Sequence, residues 1–112
     1  MRKAAISLSL VLFILFACSK NGNDVGSDCT SPKSYAADVS PIIASTCATS
    51  TGCHASGSTN GPGALTSYQQ VSNNRSAIRA SVIAGTMPQN GSLSSAEKNS
   101  IICWIDNGAQ NN

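Results

Sequence analysis

The apolar residues of this chain recur at helical spacing in three places, and nowhere do they alternate as a strand requires. Ser40 before Pro41 predicts a helix start, with the serine as N-cap and proline in the first turn. Ile42 and Ile43 supply its apolar face and lead towards Cys47. Arg75 to Ala84 predicts a second helix with Ile78, Val82 and Ile83 on one side, stopped by Gly85. The last helix has the clearest pattern. Ser94 and Glu97 have capping-box spacing, Ile101, Trp104 and Ile105 form an apolar stripe, and Gly108 is placed to end it. Ser67 to Val71 predicts one further turn of helix carrying Tyr68, whereas Ala55 to Gly63 has no periodicity and reads as a loop. The expected fold class is therefore all-α, without internal repeats.

The first seventeen residues follow a different rule. Arg2 and Lys3 precede an almost continuous apolar run from Ile6 to Phe16, which Leu15-Phe16-Ala17-Cys18 closes with a small residue before a cysteine. This is the pattern of a signal peptide, too short to remain as a membrane span. The same four residues resemble the lipobox of bacterial lipoproteins, which implies that Cys18 is lipidated and becomes the first mature residue. The expected organisation is a signal peptide over 1–17, a polar, turn-rich tether over 18–33 and one domain over 34–112. The protein is expected in the periplasm, held to the membrane by lipid. Ser19 after Cys18 resembles the outer-membrane default of lipoprotein sorting. Beyond Cys18 the charges cancel, because the formal net charge of +2 is carried by Arg2 and Lys3. No basic stripe exists to follow phosphates, so nucleic acid is not an expected partner.

The chemistry concentrates in Cys47-Ala48-Thr49-Ser50-Thr51-Gly52-Cys53-His54, which holds two of the five cysteines and the only histidine. Two cysteines with a histidine directly after the second form the order used to attach a c-type haem: thioether bonds from the thiols, iron ligation from the imidazole. Five residues separate the thiols where two are usual, so the segment must bulge, and Gly52 permits it. With Cys18 assigned to lipid and Cys47 and Cys53 to haem, Cys29 and Cys103 remain as a disulfide pair suited to an oxidising compartment. Met87, the one methionine outside the signal peptide, lies after a helix end and before Pro88. A thioether opposite an imidazole is the His/Met ligation of electron-transferring cytochromes, and it raises the reduction potential of the iron.

On these residues the stretch from 35 to 109 resembles the class I cytochrome c family. The matching pieces are Pro41-Ile42-Ile43 before the cysteines, Cys53-His54, the Gly61-Pro62-Gly63-Ala64-Leu65 loop, Met87-Pro88 and a capped last helix with Trp104. The resemblance implies a small helical domain wrapped around one covalently attached haem c, with iron between His54 and Met87. It implies that Pro62 lends its backbone carbonyl to the far ring nitrogen of His54. It also implies crossed first and last helices, packing Ile42 and Ile43 against Ile101 and Trp104. A flat apolar cleft lined by Leu65, Tyr68, Ile78, Val82 and Trp104 is expected, with Arg75 and Arg79 as candidates for the propionate edge. Such a protein would be a monomeric electron carrier serving redox proteins of the periplasm or envelope, and not an enzyme.

Two other readings use the same residues. A haem-free, disulfide-stapled lipoprotein binding module would join Cys47 to Cys53 and Cys29 to Cys103, although four mature cysteines allow three connectivities. A zinc site at Cys47, Cys53 and His54 would force adjacent residues onto one tetrahedral ion.

Overall fold

A computed structural model describes residues 29–112. The signal peptide, Cys18 and the tether as far as residue 28 lie outside the described residues. The rest is helical, and no strand occurs among the described residues.

The first helix, α1, is a continuous right-handed rod of three contiguous segments, Tyr35–Val39, Ser40–Ile42 and Ile43–Cys47. It begins earlier than the Ser40-Pro41 pair predicts. Ser34 is the true N-cap: its hydroxyl accepts from the Ala37 N–H, and the Asp38 carboxylate accepts from the Ser34 N–H. Pro41 is thus inside the rod. A proline there has no N–H to give and crowds the carbonyl four residues back. The helix accommodates it by widening: the Ser40 N–H reaches back five residues to the Tyr35 carbonyl instead of four. A second wide turn, from the Ala48 N–H to the Ile43 carbonyl, closes the rod at Cys47.

Helix α2 spans Tyr68–Asn73 and α3 spans Arg75–Ala84. A full capping box, Ser67 with Gln70, starts α2. Gly85 ends α3 in the left-handed region, φ 70°, which L side chains rarely adopt. Val82 is buried and Ile78 packs against the core, but Ile83 is 48% exposed, so the buried stripe of α3 is narrower than the periodicity predicts. Helix α4 spans Ser95–Asp106, and both halves of the Ser94/Glu97 capping box are formed. Four consecutive residues of it, Ile101 to Trp104, are buried. A helix buried around a whole turn must be covered on more than one side. Here α3 packs on one flank and the Tyr35–Val39 segment of α1 on another.

The crossing of first and last helices is therefore present, and its contact runs mainly through Tyr35–Val39. Tyr35 stands 5.5 Å from Trp104 and 5.2 Å from Tyr68, ring centre to ring centre. This aromatic cluster also fastens the chain after α4. The Tyr68 hydroxyl donates to the Ala109 carbonyl, and the Trp104 indole donates to that of Gln110. Asn112 accepts from the Tyr35 and Ala36 N–H groups, satisfying first-turn donors of α1 that the helix itself leaves open. Cys29 and Cys103 are joined as a disulfide, Cα to Cα 5.1 Å, which ties the start of the described chain to the last turn of α4.

Candidate functional site

Where α1 ends, the chain makes the excursion Ala48–Gly52 and returns. The His54 N–H donates to the Cys47 carbonyl at 3.0 Å, so the two residues are held together across the five-residue insertion. Within the excursion the Cys53 and Ala55 N–H groups both bond to the Ser50 carbonyl. The Ser58 hydroxyl, itself buried, donates to the Cys53 carbonyl. The bulge demanded by the spacing is thus a hydrogen-bonded loop, with both thiols left free.

The two thiols differ electrostatically. Burial pushes the Cys47 thiol above its ordinary range, against a smaller opposing hydrogen bond from Thr46. Hydrogen bonds from Ser50 and Thr49 favour the thiolate of Cys53 and draw its pKa down.

His54 is 8% exposed, and its Nδ1 lies 2.9 Å from the Gly63 carbonyl oxygen. A carbonyl only accepts, so Nδ1 is the donor in this bond, which leaves Nε2 as the ring nitrogen available to a ligand. The acceptor is Gly63, not Pro62 as the family resemblance implies. Gly63 has φ +81°, a conformation that turns its carbonyl where a proline, fixed near −65°, could not follow. A Cβ at that position would also meet the Ser58 carbonyl at 3.3 Å. The loop is drawn in further by the Leu65 N–H, which donates to the His54 carbonyl at 2.8 Å. Pro62 serves the site as an apolar wall instead.

Two adjoining cavities meet at these residues. An apolar one of about 70 Å³ lies between α1, α3 and α4, with Ile43, Leu65, Ile78 and Val82 among its walls. A wider cleft of about 860 Å³ opens between the Cys47–His54 loop and the segment 87–92. Cys47, His54 and Met87 line both, and Cys53 lines the wider one. The structure thus gathers the four residues singled out from the sequence onto one cleft. Its volume is within the roughly 300–1,000 Å³ usual for cofactor sites. Met87 lines it from the turn after α3, and the Met87–Pro88 peptide is cis.

Several expected features fall elsewhere. Tyr68 and Trp104 line neither cavity, because their rings are committed to the aromatic cluster with Tyr35. Arg79 is not free for a carboxylate ligand: its guanidinium donates twice to Asp106, at 2.7 and 2.9 Å. That pairing holds the Asp106 carboxyl below the usual carboxylate range and raises Arg79. Arg75 donates to the Ser72 carbonyl. Among the described residues no three His, Cys, Asp or Glu side chains are gathered to hold a metal ion, which counts against the zinc reading.

The donor set suits a porphyrin iron better than a bare ion. It offers one imidazole with a fixed tautomer, one thioether, two free thiols and an apolar wall. Among the described residues no helix is long and apolar enough to cross a membrane. No protein-family model, curated protein or solved structure matches the chain.

Proposed function

We propose that this protein is a monohaem c-type cytochrome, a lipid-anchored carrier of single electrons in the periplasm. The observation that carries the reading is the meeting of Cys47, Cys53, His54 and Met87 on one cleft, with the His54 ring already oriented by Gly63. Cys47 and Cys53 would form the thioether bonds, and His54 Nε2 and the Met87 sulfur would ligate the iron. When bound, the group supplies a reversible one-electron couple whose potential a methionine ligand raises.

The chain's own residues do the rest. The Gly63 carbonyl holds the Nδ1 proton, which keeps Nε2 basic and aimed by a fixed ring. Ile43, Leu65 and Val82, all nearly inaccessible, wall the small apolar cavity that adjoins the cleft. If His54 and Met87 both hold the iron, the chain would leave no ligand position for a substrate, so the proposed role is transfer rather than catalysis. The lipid at Cys18 would hold the carrier at the envelope, where its redox partners are.

The test is a pair of variants expressed with a cytochrome maturation system. His54→Ala is expected to yield no stable haem protein. Met87→Ala is expected to remain red and covalently loaded, with a lower reduction potential and without the sulfur-to-iron absorption of a methionine-ligated haem. Equal haem loss in both, or no effect of either, would count against these roles.

A further inference from the structure

We infer that Ser58 is a positioning residue of the site: its buried hydroxyl fixes the peptide between Cys53 and His54 and, through Asn60 and Gly63, the ring of His54. The inference rests on the carrier reading for what that ring does. It assigns a role to a residue that lines neither cavity.

The polar side chains buried among the described residues are those of His54 and Ser58, at 8% and 9% exposure. Burying a hydroxyl is unfavourable unless its hydrogen bonds are made. Within 55–63 Ser58 is the buried residue, so this loop has no apolar side chains in the core to set its shape. Its conformation rests on hydrogen bonds, and those of Ser58 lead to the site.

A peptide unit is planar, so holding its two polar atoms fixes where the next side chain begins. The His54 N–H donates to the Cys47 carbonyl, and the Cys53 carbonyl accepts from the Ser58 hydroxyl. The unit from which His54 leaves is thereby clamped from both sides. The same hydroxyl oxygen accepts from the Asn60 N–H at 3.3 Å, and the Asn60 carbonyl accepts from the Gly63 N–H at 2.9 Å. Gly63 then supplies the carbonyl that stands 2.9 Å from His54 Nδ1. The Ser58 carbonyl lies against Gly63, where a Cβ would stand 3.3 Å from it, and Gly61 passes the ring edge, where a Cβ would stand 3.8 Å from Cε1. One buried hydroxyl thus joins the backbone that carries the ring to the backbone that accepts from it. The Asn60 side chain makes a separate tie, donating to the Gly52 carbonyl at 2.8 Å, that does not pass through this hydroxyl.

The experiment follows the His54 Nδ1 proton by hydrogen exchange, in nitrogen-edited NMR spectra of the mature protein expressed with a cytochrome maturation system. In wild type this proton and the Asn60 and Gly63 amide protons are expected to open together, losing protection in parallel as urea rises. Ser58→Ala removes the hydroxyl without adding bulk, and should cut protection of the Nδ1 proton by at least about ten-fold, as loss of a buried hydrogen bond does. Asn60→Ala gives up the tie to Gly52 but keeps the N–H that Ser58 holds, so its Nδ1 proton should stay within about three-fold of wild type. In the loaded protein Ser58→Ala should also raise the reduction potential, because an imidazole whose Nδ1 proton is held by a carbonyl donates more strongly and favours the oxidised iron.

The inference would be overturned by an Nδ1 proton that is unprotected in wild type or opens independently of Asn60 and Gly63. Equal loss of protection in Ser58→Ala and Asn60→Ala would overturn it too, as would an unchanged potential in loaded Ser58→Ala. The wild-type urea series decides the matter if Ser58→Ala does not fold. Mature protein without covalent haem would remove the carrier reading, while the exchange comparison on that protein still decides the role of Ser58.

Discussion

Replacing both Cys29 and Cys103 by alanine should cost more stability than any single surface change in this domain. The disulfide closes a loop with a sequence separation of 74 residues. For a loop of that length the chain-entropy relation gives about 4.5 kcal/mol at 25 °C. Cys103 is fully buried between Ile102 and Trp104, and trimming its sulfur adds no more than about 1 kcal/mol. Native-state relaxation and residual structure in the unfolded chain work the other way, which places the expected loss at about 3–5 kcal/mol. For a domain of this size each kcal/mol moves the melting midpoint by about 4–8 °C, so a fall of at least about 12 °C is expected. The double variant leaves no odd thiol to exchange with Cys47 or Cys53. Far-ultraviolet circular dichroism during thermal and urea unfolding of the mature protein is the assay. A midpoint within about 3 °C of wild type would show that the link does not constrain the unfolded chain as this geometry requires.

Other outcomes follow from the electrostatics of the site and of α4. In protein made without haem, iodoacetamide should label Cys53 at lower pH than Cys47, because Cys53 is drawn towards thiolate by Ser50 and Thr49 while burial holds Cys47 protonated; peptide mapping across pH checks the order, and simultaneous labelling would refute it. Asp106 has its folded pKa depressed by Arg79, so its contribution to stability is present above the usual carboxylate pKa and lost as pH falls through the lower folded value. Asp106→Asn should therefore lower the unfolding midpoint at neutral pH and converge with wild type in strong acid. The difference should be small, because the side chains of the pair are 41% and 38% exposed.

The helices that could be read from sequence are those whose ends carry their own chemistry. Ser94 with Glu97, and Gly85 after Ala84, mark α4 and the end of α3 because capping satisfies backbone groups locally. The start of α1 was hidden, because Ser40-Pro41 imitates a helix start while the real cap is Ser34 and the proline is absorbed by a widened turn. Exposure of Ile83 and burial of Ile102 were not legible either. Both depend on how many neighbours flank a helix, which periodicity does not encode. At the site, the pairing of Cys29 with Cys103 agrees with the sequence reading, and Cys47, Cys53, His54 and Met87 line one cleft. The carbonyl partner of His54 does not. A proline between two glycines left the acceptor one residue away from where the family pattern puts it, and only the positive φ of Gly63 decides the matter.

The most direct measurement of the central claim is the intact mass of the mature protein after expression with a cytochrome maturation system, in wild type and in Cys47→Ala and Cys53→Ala variants. Two thioether bonds predict a wild-type mass raised by one haem that survives denaturation, with peptides carrying both cysteines bound to it and each single variant attached through its remaining thiol. A denatured wild-type protein carrying no haem, with Cys47 and Cys53 oxidised to one another, would contradict the account.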